Sequence, residues 1–416
     1  MRLFNQPPAS WRKTFFLIWS GQAFSLFGSE LVQFSLVWYL TEQTGSASVL
    51  ALASFAALIP RVLIGPVIGA LVDKWDRQII LIVADAAIAI VTGFLIAGFY
   101  FSDVKPWHIY LVMFLRSIGS GFHWPSMQAS ISLIVPKENL AKIAGLNQTL
   151  RGFLGIVSPV AAALLLETAS ITLVLWIDVI TALVAVVPLL IVRIPQPEKP
   201  EREEKTPLSE IFKEIKAGFA YLVKWKGLFY LALAAAGLNF LIHPGFTFTP
   251  LLVTQHFGKG PLEYSLVESI FSLGVISGGI LLSIWGGFKK NIHTTLSGIL
   301  GLAGGTLLVA FAPSSNFLLA VVGMAVAGFM QPIANGPIFA IMQANVEPHL
   351  QGRLFSMLES MVTAMMPLSM LVAAPVSEWI GVRGWLFVGG IGCLVIGIGG
   401  FFSRPLISIE EKYTHT

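Results

Sequence analysis

Five ionisable side chains stand inside stretches that are otherwise apolar: Glu30, Arg61, Arg116, Arg151 and Asp178. At about 1.5 Å of helical rise per residue, the first four lie roughly 15–20 Å from a helix end, and Asp178 lies somewhat nearer one side. A charge at that depth in a bilayer costs several kcal/mol unless it is paired or wetted. Such residues therefore close structural ion pairs or line a path for ions and polar groups. Taking a carboxylate out of water favours its neutral form, and a neighbouring guanidinium favours the charged one. Glu30 and Arg116 are thus candidates for carrying and releasing a proton, with Asp178 as a further carboxylate. Gln33, Arg61 and Arg151 in the first half, and Asn239, His243, Asn335 and Glu359 in the second, are candidates to line a substrate cavity. Lone histidines such as His123 and His243 are more often packed or hydrogen-bonded than catalytic.

Bond-breaking chemistry has no comparable foothold. G-x-x-x-x-G-K-[ST], H-E-x-x-H and G-x-S-x-G do not occur, and Cys393 is the single cysteine. Neither a disulfide nor a paired-thiolate metal site can form within one chain, and no ATP-driven step is indicated. The expectation is a protein that is not an enzyme and needs no cofactor or metal. A passive channel would want rings of equivalent groups from symmetric subunits, which one chain does not supply in an obvious way. A non-transporting membrane receptor is the alternative from another class. Nucleic acid is not expected as a partner: the net charge is +4, but the basic residues never interleave with aromatics on an exposed stretch.

The elements that position these side chains are set by the solvent. The chain has 416 residues, 55% hydrophobic and 12% charged, with mean hydropathy +0.79, where soluble domains carry roughly 25% charged residues. The bilayer is the solvent that fits. Apolar runs predict helices near 14–40, 47–72, 79–101, 107–133, 141–166 and 171–192, then near 226–253, 263–285, 292–312, 316–345, 351–377 and 384–402. The fold class expected is therefore an all-α integral membrane protein with twelve transmembrane helices in two six-helix halves, residues 1–192 and 226–416. The first span, preceded by Trp11-Arg12-Lys13, has no compact small-residue cleavage pattern after it and is expected to be retained. Pro60, Pro244 and Pro367 fall inside spans, where they bend helices.

Between the halves, residues 193–225 read as a solvated linker, Pro195 to Lys205 being rich in proline and charge. Thr206 and Pro207 then open an amphipathic helix whose apolar stripe is Leu208, Ile211, Phe212, Ile215 and Phe219, expected along the membrane surface. The halves repeat weakly. Pro125 and Pro136 return as Pro337 and Pro348, and Gly21-x-x-Phe24 returns as Gly237-x-x-Phe240, which sets fourth span on tenth and first on seventh. With both termini on the cytoplasmic side, 20 of the 26 Lys and Arg lie on that side and three on the other, Lys105, Lys259 and Arg383. Single cysteines placed at Ser102 and at Thr206, with Cys393 replaced, should label from outside and from inside respectively; the reverse labelling would overturn this orientation.

The loop after the second span, Gly69-Ala70-Leu71-Val72-Asp73-Lys74-Trp75-Asp76-Arg77-Gln78, resembles the signature loop of the major facilitator superfamily. Gly69, Asp73, Lys74 and Arg77 match it; Asp76 stands where the family usually has Gly, and Gln78 where it has a basic residue. The resemblance implies a gate in which a carboxylate binds a helix end and is released when the halves rock, with Asp85 on the next span as support. Arg116 with Gly119 and Gly121 resembles a second family signature, and Gly152, Gly155, Ser158 and Pro159 partly resemble one associated with export. Ile18-Trp19-Ser20-Gly21-Gln22 and Trp38-Tyr39-Leu40-Thr41-Glu42-Gln43-Thr44-Gly45-Ser46-Ala47 look like the macrolide-efflux and siderophore-exporter branch. That branch implies export of an amphipathic small molecule in exchange for protons; the chain is expected to work as a monomer in the bacterial cytoplasmic (inner) membrane. A siderophore or a lipid is the alternative cargo.

Overall fold

The computed structural model describes residues 11–196, 225–346 and 348–411, with the backbone alone at 66, 67, 69, 70, 73, 74, 345, 348–353, 356 and 357. The linker helix expected from Thr206 lies outside the described residues. Among them the fold is helical throughout, without strands. The helices are α1 (Trp11–Thr44), α2 (Ala47–Lys74), α3 (Arg77–Phe101), α4 (Pro106–Ile134), α5 (Leu140–Thr168), α6 (Ile171–Ile191), α7 (Lys226–Thr247), α8 (Pro261–Trp285), α9 (Asn291–Phe311), α10 (Phe317–Asn345) and α11 (Pro348–Phe402). The chain forms two compact units. One comprises Met1–Thr44 with Leu52–Arg202, the other Gly45–Ala51 with Glu203–Thr416.

Ten helical stretches among the described residues are long and apolar enough to cross a membrane. Helix α11 counts once among them but has 55 residues, about 80 Å of helix against a hydrocarbon core of about 30 Å. It breaks at Gly381, whose φ of 78° and ψ of 161° are outside the helical region and favour a residue without Cβ. Helix α4 is not one of the ten. Arg116, His123, Gln128 and its serines lower its hydropathy, although its 29 residues are enough to span.

The helices are turned inside out relative to those of a soluble protein. Helix α3 exposes Ile79, Val83, Ile90 and Phe94 while it buries Asp85 and Thr92. In water that arrangement would be costly on both counts. In lipid it is the favourable one, since apolar side chains meet acyl chains and polar ones find partners inside the bundle. In the first unit the core around Phe15, Ile18, Leu81, Ile134 and Leu189 packs α1, α3, α4 and α6 together. The second unit has its own core, around Leu228, Leu231, Ile292, Leu296, Ile341 and Leu358.

Candidate functional site

Four helices of the first unit converge on one carboxylate. Asp178 of α6 is 1% exposed and takes hydrogen bonds from three of its neighbours. Ser29 Oγ of α1 donates to its Oδ1 at 3.2 Å, and Thr92 Oγ1 of α3 lies 2.9 Å from its Oδ2. Arg116 of α4 forks onto both oxygens, Nη2 reaching Oδ1 at 3.3 Å and Nη1 closing the ion pair with Oδ2. The same guanidinium donates to Ser29 Oγ at 3.3 Å and to Thr92 Oγ1. A two-pronged contact of this kind fixes orientation as well as charge. Gly28 makes it possible: a Cβ there would lie 2.2 Å from Thr181 Oγ1 and 3.0 Å from Asp178 Cα, so only glycine lets α1 bring Ser29 close enough to α6.

Asp178 is thus the counter-ion of Arg116. Glu30 is the neighbour that stays uncommitted to that pair: it is exposed on α1, within the electrostatic reach of Arg61, Arg151 and Arg116. Arg61 and Arg151 are exposed too, and the guanidinium of Arg151 stands 3.7 Å from the ring centroid of Trp124, a cation–π contact. Gln33 is exposed one turn further along α1.

A second buried polar group lies two turns along the same helices. Asp85 is 2% exposed and accepts from Gln22 Nε2 at 3.0 Å and from Ser25 Oγ at 3.2 Å. His123 Nε2 is 3.6 Å from Asp85 Oδ1 and within hydrogen-bond distance of Gln22 Oε1. The partners observed for Asp85 are therefore Gln22, Ser25 and His123, while those of the Asp73 side chain at the gate lie outside the described residues. Arg77 donates from Nη1 to the Ala129 carbonyl at 3.1 Å. Asp85 is eight residues from Arg77, about 12 Å along α3, too far for the two to meet.

At the gate loop, Gly69, Asp73 and Lys74 belong to the last turns of α2, and their side chains lie outside the described residues. The two residues that depart from the family signature have structural work there. Asp76 is the N-cap of α3, its Oδ1 accepting from Gln78 N at 2.9 Å and Ile79 N at 3.2 Å. Gln78 Oε1 accepts from Ile194 N at 2.8 Å, and its amide donates to Leu189 O, tying the start of α3 to the end of α6. Gln196 Nε2 adds a bond to Asp76 Oδ1 at 3.1 Å. The sequence signal for the cap was an aspartate directly before an apolar helical run.

The remaining candidates belong to the second unit. Asn239 of α7 donates to Ala235 O of its own helix at 3.0 Å. His243, one turn further on, has a buried Nε2 without a hydrogen-bond partner. Asn335 of α10 and Glu359 of α11 are exposed. No cluster of three or more His, Cys, Asp or Glu that could hold a metal ion occurs among the described residues.

Residues 18–369 match the profile of the Major Facilitator Superfamily. Over 389 residues the chain is 35% identical to Macrolide efflux protein A of Streptococcus pyogenes, covering 94% of this chain and 95% of that one. A second Macrolide efflux protein A, from Enterococcus faecalis, is 34% identical over 326 residues, 78% of this chain and all of that one. Among solved structures, the nucleoside transporter NupG superposes with a TM-score of 0.68 at 16% identity, covering 96% of this chain and 100% of that one.

Proposed function

Because this chain belongs to the Major Facilitator Superfamily, we propose that it exports bulky amphipathic compounds of the macrolide type from the bacterial cytoplasm, in exchange for protons, by alternating access. The observation that carries this reading is the 35% identity to Macrolide efflux protein A along 94% of the chain. The geometry supports it. In the first unit the cation Arg116 has a fixed counter-ion, while Glu30 stays outside that pair with Arg61, Arg151 and Arg116 within electrostatic reach, which leaves it available to take up a proton or to meet a cationic drug. Arg61, Arg151 and Gln33 supply polar contacts to the cargo from that unit, and Asn239, His243, Asn335 and Glu359 supply them from the other. The loop of Gly69, Asp73, Lys74 and Arg77 serves as the breakable gate, the chain works as a monomer, and both termini face the cytoplasm.

A second reading has its own observation. Arg61 and Arg151 outnumber Glu30 once Arg116 is paired, and that excess suits an anionic cargo such as a siderophore. One experiment separates the two. In a host stripped of its own exporters, expression should lower the accumulation of labelled erythromycin several-fold, and a protonophore should erase the difference. Unchanged accumulation together with altered growth under iron limitation would replace the macrolide reading with the siderophore one.

A further inference from the structure

The two buried polar groups of the first unit are layers of one seam. Gln22 and Ser29 on α1, Asp85 and Thr92 on α3, and Arg116 and His123 on α4 are each seven residues apart, which is two helical turns, about 10 Å, on the same face. The layers differ in their charge. The layer of Ser29, Thr92, Arg116 and Asp178 pairs a carboxylate with a guanidinium that never deprotonates, so its charge is balanced at every pH. In the other layer Gln22 and Ser25, the two donors to Asp85, are neutral. The basic nitrogen within 4 Å of Asp85, among the described residues, is His123 Nε2.

Of the charged groups on the surrounding helices, Arg77 of α3 is committed to the Ala129 carbonyl, Arg116 of α4 to Asp178 of α6, and Arg151 of α5 to the ring of Trp124; Glu30 of α1, eight residues or about 12 Å along that helix from Gln22, faces Arg61 of α2. The Asp85 layer is therefore neutral only while the carboxylate and the imidazole share one proton. Without it, a net negative charge is left in the membrane interior, where an unpaired charge costs about 3 kcal/mol. Gln22 bridges the two, its amide on Asp85 and its carbonyl on the imidazole, so the proton can rest on either without a change of partners.

We propose that Asp85 and His123, bridged by Gln22, form a second proton-holding site of the transport cycle, which yields its proton to water when the seam between α1, α3 and α4 opens. This rests on the proton-exchange reading above and adds a site to it. Loss of the shared proton turns an imidazolium–carboxylate pair into an imidazole and a carboxylate, with the proton leaving to solvent. Water reaching the layer is what makes the remaining charge tolerable, so release is tied to opening.

The signature of a shared proton is non-additivity. The purified full chain, free to open and close in lightly buffered detergent with an indicator dye, is stepped from about pH 6 to about pH 8. Asp85→Asn and His123→Gln should each release one proton per chain fewer than the wild type, and the double variant should also release one fewer, not two. Each substitution keeps a hydrogen-bonding group of similar shape, and elution as a single symmetric species verifies the fold. Equal release by all four proteins, or a loss of two in the double variant, would overturn the proposal. A second arm adds labelled erythromycin. If His123→Gln releases one proton fewer than the wild type per drug bound, the site belongs to the cycle. If it releases the same number, the site holds a proton outside the cycle and the proposal fails. If the wild type binds no erythromycin, the macrolide reading fails, and the step in pH still decides whether the pair shares a proton.

Discussion

Replacing Asp178 with Asn should cost about 3–5 kcal/mol of stability, the usual penalty for stripping one partner from a buried ion pair, and lower the melting temperature by roughly 10 °C. The carboxamide is nearly the same shape but keeps one acceptor oxygen, so it can accept from Ser29 or from Thr92 and not from both where they stand. What it lacks is charge, and Arg116, 9% exposed, is left with a guanidinium that has only neutral partners. A guanidinium cannot shed its proton to escape, so the cost is paid in structure. Asp178→Asn combined with Arg116→Gln removes both charges and should recover most of the loss. Thermal unfolding of the detergent-purified proteins, followed by tryptophan fluorescence, reads both variants. A single variant that melts within a degree or two of the wild type would mean that the pair does not hold α4 and α6 together.

The same comparison bears on why the pair exists. A buried ion pair is on average no more stabilising than apolar side chains of similar volume. Four helices converge on Asp178, so the pair is better understood as an orienting device. It fixes the rotation of α1, α3, α4 and α6 about their axes and thereby decides which faces carry Glu30 and Asp85. If so, the double variant should regain stability without regaining full transport, because its helices are free to settle at slightly different rotations.

The parts of this arrangement that were legible in the sequence are those that the bilayer dictates one residue at a time. A span must be about 20 apolar residues long, so its limits are visible: 79–101 was read where α3 runs Arg77–Phe101, and 107–133 where α4 runs Pro106–Ile134. Charges inside such runs are conspicuous for the same reason. Their partners are not. Arg116 and Asp178 are 62 residues apart in the chain, and which carboxylate meets which guanidinium depends on helix rotation and tilt, which hydropathy does not encode. Depth alone made Glu30 as good a partner for Arg116 as Asp178, and nothing in the sequence joined Asp85 to Gln22, Ser25 and His123. Ser29 and Thr92 carried no signal singly. The seven-residue spacing shared by three helices was present in the sequence, but it has meaning only once those helices are known to be neighbours. At the gate loop Asp76 and Gln78 stood out in the sequence as departures from the family pattern, and in the fold they cap α3 and fasten it to the end of α6.

Glu30→Gln should abolish export against a gradient while leaving the protein folded and able to bind drug. Glutamine preserves the shape of the side chain and removes its titration. Glu30 is poised for exchange in a way that Asp178 is not. Asp178 is buried under a permanent counter-ion, whereas Glu30 lies among Arg61, Arg151 and Arg116 without belonging to the pair. Its charge state is then a balance between desolvation, which favours the acid, and three guanidiniums, which favour the carboxylate. Any movement that changes water access or brings a cationic drug close tips that balance. Under the proposed proton exchange, water would protonate Glu30 in the outward-open state, and an arriving drug amine or a closer approach of Arg116 would expel the proton in the inward-open state. The energy is sufficient, because one pH unit is worth about 1.4 kcal/mol per proton and each exchanged proton can sustain up to about a tenfold drug gradient. In sealed inverted vesicles with an acidic lumen, the wild type should concentrate labelled erythromycin inside several-fold. Glu30→Gln should bring it only to equal concentrations on the two sides, with the melting temperature unchanged. Accumulation by Glu30→Gln equal to the wild type would remove Glu30 as the exchanged carboxylate and turn attention to Glu359, the exposed acid on α11.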